Sequence, residues 1–171
     1  IMISTTQDGL ILLSNDKSES WKFKMQEFNR NIYNLNFLDS SLGIAACDSG
    51  YILKVTNNGE DFEQKYTGYN VPLSNARNLN EDFIYATGNP TDYYNYPLGS
   101  FFLTSSDGGD IWENKIRSIA YNLSFVGISM PDSLNIWLCA DQKLLRTNDG
   151  GYSWFEPTQV AGMSSQDICF T

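Results

Sequence analysis

The sequence predicts an all-β chain folded as a β-propeller of four-stranded antiparallel blades, with four repeats in its 171 residues. Three observations predict it. A short Asp-Gly turn ending in an aromatic residue recurs four times, its copies are spaced by about one blade, and strand-like apolar runs fill the intervals without sustained helical periodicity.

The recurrence appears when the chain is laid against itself. Shifted by 92 residues, GIAACDSGYILKVTNNGEDF (residues 43–62) falls without a gap on NIWLCADQKLLRTNDGGYSW (residues 135–154), so that Cys47 meets Cys139, Leu53 meets Leu145 and Gly59 meets Gly151. A third copy is FLTSSDGGDIW (residues 102–112), and a degenerate one is ILLSNDKSESW (residues 11–21). The closing aromatics Trp21, Phe62, Trp112 and Trp154 stand 41, 50 and 42 residues apart. Blade two shows the strand pattern best: YNLNFL from Tyr33, GIAAC from Gly43, YILKV from Tyr51, the turn NNGE and then DFEQKY from Asp61. β-branched and aromatic residues mark the strands, and Asn, Asp, Ser and Gly mark the turns.

Physical chemistry gives the turn a structural role. The aspartate can accept hydrogen bonds from the turn's own amides, the glycines permit positive φ, and the aromatic can pack between sheets. Asp16, Asp107 and Asp149 are therefore expected to be scaffold, and Trp21, Phe62, Trp112 and Trp154 core. Asn57 replaces the aspartate in copy two, and Lys17 and Ser18 replace the two glycines of copy one. The spacing lacks a full set of oxygen ligands for calcium, so no metal or cofactor is expected.

The pattern S/T-x-D-x-G-x-x-W resembles the Asp-box, also called the bacterial neuraminidase repeat, and its longer Gly-Gly form resembles the propellers of photosystem II assembly and stability factors. The resemblance covers nearly the whole chain. It implies that the boxes lie between the third and fourth strands of each blade, on the face opposite the usual ligand site, and that the protein is extracytoplasmic. With three cysteines in the chain, a bacterial-type periplasm or surface is expected rather than a disulfide-rich secreted domain. Cys47 and Cys139, placed alike in non-adjacent blades, are expected to be packed thiols too far apart to bridge.

Ile3 aligns with Ile44 inside a second strand, while QDICF (residues 166–170) resembles a first strand, as do NLNF (residues 34–37) and NLSF (residues 122–125). One propeller domain is thus expected over residues 1–171, with residues 165–171 either closing the first blade or opening the next blade of a larger propeller. The chain begins at Ile1 rather than at a methionine, so the expectation is that any targeting peptide was removed or that the chain is part of something longer. The longest apolar run, LILL at residues 10–13, has the length of a strand and no transmembrane segment is expected. The sequon Asn122-Leu123-Ser124 lies in a predicted strand and reads as accidental.

Charge and composition then remove function classes. Eleven basic and 20 acidic side chains give a net charge of −9, without the clustered Lys and Arg that a phosphate backbone needs, so nucleic acid is excluded as a partner. The chain has no histidine, which removes imidazole metal sites and Ser-His or Cys-His nucleophiles.

A ligand site is sought where the repeat breaks. The long third interval holds an insertion, GNPTDYYNYPLGS (residues 88–100), between strands two and three, projecting from the face opposite the boxes. Asp92, Tyr93, Tyr94 and Tyr96 give it the composition of a recognition loop, the alternative being a surface loop folded on itself by its prolines. Tyr66 and Tyr69 in the connection YTGYNVPLSNAR (residues 66–77) reach the same face as lesser candidates. Two functional classes remain. A sialidase-like hydrolase needs an arginine cluster, whereas Arg30, Arg77 and Arg117 lie in non-equivalent connections and Arg146 in a strand. A non-enzymatic module binding a protein partner or multi-subunit complex needs only a rigid disc and variable loops; a carbohydrate ligand is the alternative.

Overall fold

The computed structural model describes residues 2–5, 9–14, 16–25, 29–89, 99–116, 123, 125–140 and 143–157. Sheet one contains β1 (Met2–Thr5), β2 (Ile11–Ser14) and β3 (Lys22–Met25), and sheet two β4 (Ile32–Phe37), β5 (Gly43–Cys47), β6 (Tyr51–Thr56) and β7 (Asp61–Tyr66). Sheet three contains β8 (Leu73–Asn78), β9 (Ile84–Gly88), β10 (Phe101–Ser105) and β11 (Glu113–Asn114). Sheet four contains β12 (Phe125–Ser129), β13 (Ile136–Ala140) and β14 (Lys143–Thr147), with Phe155 bridged to Arg146 at its outer edge. Among the described residues these are four antiparallel sheets, each with its strands in sequence order. Sheet one presents the equivalents of strands two to four. Residues 165–171, and with them the question of closure, lie outside the described residues.

Burial explains the composition of each strand. β5 (GIAAC) and β9 (IYATG) are buried along their whole length because a sheet lies on either side of each. The alanines Ala45, Ala46 and Ala86, none with any exposed surface, let those sheets approach closely. The outermost strand β7 (DFEQKY) is exposed or half-exposed throughout and correspondingly polar. Three apolar clusters fill the gaps between successive sheets. Ile11, Ala45, Cys47 and Leu53 lie between sheets one and two; Ile44, Ile52, Ala86 and Leu103 lie between two and three; Phe102, Phe125, Leu138 and Leu145 lie between three and four. Each such Leu, Ile or Phe contributes about 1.5–3 kcal/mol by leaving water.

Register corrects the gap-free alignment. Leu53 pairs with Ala45, whereas its counterpart Leu145 pairs with Leu138, so the second strand of sheet four is displaced by one residue. Because strand side chains alternate, one residue changes the face. Cys47 therefore corresponds to Ala140, and Cys139, paired with Leu144, points to the other side of its sheet. The physical reason is the connection to the third strand, which is three residues in sheet two and two in sheet four. Cys47 and Cys139 are both buried thiols. Burial first, and then the Asp48 carboxylate, push the Cys47 thiol up to about 12, which withdraws its thiolate from chemistry near neutral pH.

The boxes lie directly after the third strand of each sheet. Asp107 Oδ1 accepts the amides of Asp110 (3.1 Å) and Ile111 (3.0 Å) and the hydroxyl of Ser105 (2.8 Å). Asp149 accepts the Ser153 amide (2.9 Å), the Ser153 hydroxyl and the Thr147 hydroxyl (2.6 Å). Asp16 does the same with the amide and hydroxyl of Ser20 and the hydroxyl of Ser14. Trp112 and Trp154 donate their indole N–H to the carbonyls of Gly109 (2.8 Å) and Gly151 (3.1 Å). The turn needs positive φ at two successive positions, and Lys17 (60°) and Ser18 (74°) adopt it without glycine. In copy two Asn57 is itself at 51°, and its carboxamide donates to Asp61 (3.1 Å).

These hydrogen bonds favour the charged carboxylates. The Ser20 hydroxyl and amide hold Asp16 down to about 2 from an ordinary 3.8, and the Ser153 hydroxyl and amide do the same for Asp149. A depressed folded-state pKa means that this contribution to stability is complete above about pH 4 and is lost as the pH falls toward 2. Thermal unfolding of the protein should therefore fall steeply across that window. A variant carrying both Asp16→Asn and Asp149→Asn should show a shallower fall, and equal slopes would refute the assignment.

Three of the four box aromatics face the preceding sheet: Phe62, Trp112 and Trp154 each pack on one of the three clusters. Trp21, with no described sheet before it, is 39% exposed. A cross-sheet contact repeats alongside. The lysine three residues after each of the first three aromatics reaches the next sheet's box: Lys24 to Glu60, Lys65 to Asp110 (2.7 Å) and Lys115 over the ring of Tyr152 (3.9 Å). Exposed pairs of this kind are worth about 0–1 kcal/mol, so they set alignment more than stability.

Candidate functional site

The strand-two to strand-three turns and the connections between sheets emerge at the end of the sheets opposite the boxes. In sheet two this end carries a compact polar-aromatic patch. The Asp48-Ser49-Gly50 turn follows β5, with Ser49 at φ 53° and Gly50 at 77°. Asp48 Oδ2 accepts the Asn31 amide (3.0 Å), which fixes the connection entering β4. That connection delivers Arg30, whose guanidinium lies over the Tyr51 ring at 3.5 Å and 3.7 Å from Asp48 Oδ1. Tyr51 in turn meets Tyr66, ring centroids 5.0 Å apart. Tyr66, at the end of the outermost strand, is exposed.

The patch combines an arginine placed over one phenol ring, a carboxylate beside it and a second phenol open to solvent. A guanidinium held in that way presents a planar donor edge suited to carboxylates and peptide carbonyls, while the tyrosines give apolar area with a polar tip. Such a surface has the chemistry to bind and orient a polar ligand.

Tyr69 is placed differently from Tyr66. It is half-buried, packs on Phe101 at 5.3 Å between ring centroids, and belongs to the margin of the core between sheets two and three. Thr67 between them donates its amide (3.0 Å) and hydroxyl (2.9 Å) to the Gly50 carbonyl, tying the connection to the Asp48–Gly50 turn. Phe101 follows the insertion between β9 and β10, so Tyr69 adjoins the base of that loop. Asn89 at the loop's start accepts the Ser100 hydroxyl (2.9 Å) and the Phe125 amide (2.9 Å) through Oδ1, and donates to the Phe125 carbonyl (2.9 Å). The two stems are thereby fixed to each other and to the first strand of sheet four. Asp92, Tyr93, Tyr94 and Tyr96 lie outside the described residues.

The described arginines sit on different kinds of element. Arg30 is in the connection before β4, Arg77 is on β8, Arg146 is on β14 at 4.9 Å from the Trp137 ring centroid, and Arg117 lies outside the described residues. Among the described residues, no group of three or more Cys, Asp or Glu is placed to hold a metal ion. Among them, too, no helix is long and apolar enough to cross a membrane.

No family model matches the chain, and no curated protein does. Solved structures do match. YCF48 bound to D1 peptide superposes with a TM-score of 0.69 at 18% identity, over 96% of this chain and 51% of that one. The chain has the fold of a β-propeller. YCF48 from Cyanidioschyzon merolae gives a TM-score of 0.68 at 14% identity, over 93% of this chain and 53% of that one. An ancestral GH74 enzyme gives 0.62 at 14% identity, over 89% of this chain and 22% of its own length. The chain spans about half the length of the YCF48 structures it matches.

Sequence reasoning missed Arg30, Asp48 and Tyr51 as members of one patch. The available signal was the Asp-Ser-Gly turn itself, which gives Asp48 a side chain able to anchor the neighbouring connection.

Proposed function

We propose that this propeller is a non-enzymatic, extracytoplasmic protein-binding or assembly module, and that it grips an extended peptide segment of its partner on the face opposite the boxes. The observation that carries this reading is the Arg30–Tyr51–Tyr66 patch, at the same end of the sheets as the β9 and β10 stems of an insertion whose sequence is rich in tyrosine. The similarity to a YCF48 that was solved with a bound peptide supports it. Asp92, Tyr93, Tyr94 and Tyr96 extend the patch in this reading, Tyr66 and Arg30 form its fixed floor, and Tyr69 supports the loop from beneath.

The test uses peptides selected on the immobilised chain from a random display library. Tyr66→Ala, Arg30→Ala and a triple change of Tyr93, Tyr94 and Tyr96 to alanine should each weaken the selected peptide at least tenfold, about 1.4 kcal/mol, with unchanged circular dichroism. Unchanged affinity in all three would sink the site. A second reading, a carbohydrate-binding or glycoside-hydrolysing propeller, draws on the similarity to a GH74 enzyme. It requires turnover or binding of an oligosaccharide, lost on removal of a single carboxylate.

A further inference from the structure

The box-bearing face holds a second surface. A groove of about 560 Å³ runs between the boxes of sheets three and four. Its rims carry Ile111 and Tyr152, 74% and 78% exposed, together with Phe83 and Leu134 from the loops beneath.

The repeat itself shows that the turn does not require these apolar side chains. At the position of Tyr152 the other boxes carry Glu19, Glu60 and Asp110, and at the position of Ile111 they carry Ser20, Asp61 and Ser153. Both exchanges forgo an interaction that other copies make. Ser20 and Ser153 donate a hydroxyl to their box aspartates, which Ile111 cannot do for Asp107. Glu60 and Asp110 receive a lysine from the preceding sheet as an ion pair, whereas Lys115 lies over the ring of Tyr152 and is neutralised by Glu113 (2.7 Å). With that pair cancelled, Asp107 and Asp149 leave the groove negative, in a chain whose net charge is −9.

We propose that this groove is a second docking site, which takes an extended segment of a partner protein carrying a lysine or arginine between apolar residues. The apolar side chains lie against Ile111 and Tyr152, and the cation lies between Asp107 and Asp149. The site is independent of the patch on the opposite face.

The experiment titrates the isotope-labelled protein with a capped hexapeptide of alternating leucine and lysine and follows backbone amide shifts. Shifts gathered at Ile111, Leu134, Gly150 and Tyr152, and at least tenfold weaker with glutamate in place of lysine, are expected. Two variants restore residues that the other boxes already use and so keep the fold. Ile111→Ser should weaken the peptide at least tenfold. Tyr152→Glu should weaken it similarly although it makes the protein more acidic, whereas attraction to bulk charge alone would be strengthened. Shifts centred on Tyr51 and Tyr66, equal binding of both peptides, or tighter binding by Tyr152→Glu would each overturn the proposal. So would concentration-dependent shifts of the same amides without peptide, which would assign the groove to self-association.

Discussion

Phe102→Ala is expected to destabilise the protein by about 3–5 kcal/mol, a large share of the roughly 5–15 kcal/mol that holds a typical domain together. Phe102 is fully buried on β10 between sheets three and four. Its ring lies edge-on to Trp154 (5.3 Å, 84°) and stacks near Tyr85 (5.9 Å, 24°). The same side chain lies 3.4 Å from where a Cβ on Gly151 would stand, so it supports the box turn from inside. Truncation leaves a cavity that three elements border and that none can fill without shifting the turn. In urea titrations the midpoint should drop with the slope unchanged. Phe23→Ala, at an exposed position on β3, should stay within about 0.5 kcal/mol. Comparable losses at the two sites would refute the assignment of the core.

Gly50→Ala is the second large expected effect. A Cβ at Gly50 would lie 1.7 Å from the Tyr69 carbonyl oxygen, at a φ of 77°. The left-handed conformation alone costs an L-residue about 1–2 kcal/mol, and relieving the overlap by moving backbone adds about 1–3 kcal/mol. The loss should therefore be about 2–5 kcal/mol in urea titration. The consequence reaches the proposed site, because the Gly50 carbonyl holds Thr67 in the connection that follows Tyr66. A Gly50→Ala protein that folds with wild-type stability would show that this close approach is not required.

Legibility in the sequence depends on which forces are local. The box turns could be read because each is closed by hydrogen bonds spanning four residues or fewer, as between Asp149 and Ser153. The strands of sheet two could be read because their turns contain Gly50 and Gly59, and their outer member is polar. The second strand of sheet four could not be registered. IWLCA is apolar on both faces, so alternation carries no signal, and a connection one residue shorter turned Cys139 away from the side that Cys47 faces. The patch was half legible for a similar reason. Tyr66 is visible as an exposed aromatic at a strand end, but the contact of Arg30 with Tyr51 joins a residue of the connection before β4 to the first residue of β6, which only the sheet arrangement brings together. The groove on the box face was written in the repeat as apolar residues at positions otherwise polar. It becomes meaningful only when two adjacent boxes are seen to flank one space.

The central claim is that a peptide partner is read by the face opposite the boxes. Its most direct measurement is a backbone amide shift map of the protein with a library-selected peptide. Shifts concentrated at Asp48, Tyr51, Tyr66 and Thr67 and abolished by Tyr66→Ala are expected. Shifts confined to the box turns, or unaltered by that substitution, would contradict it.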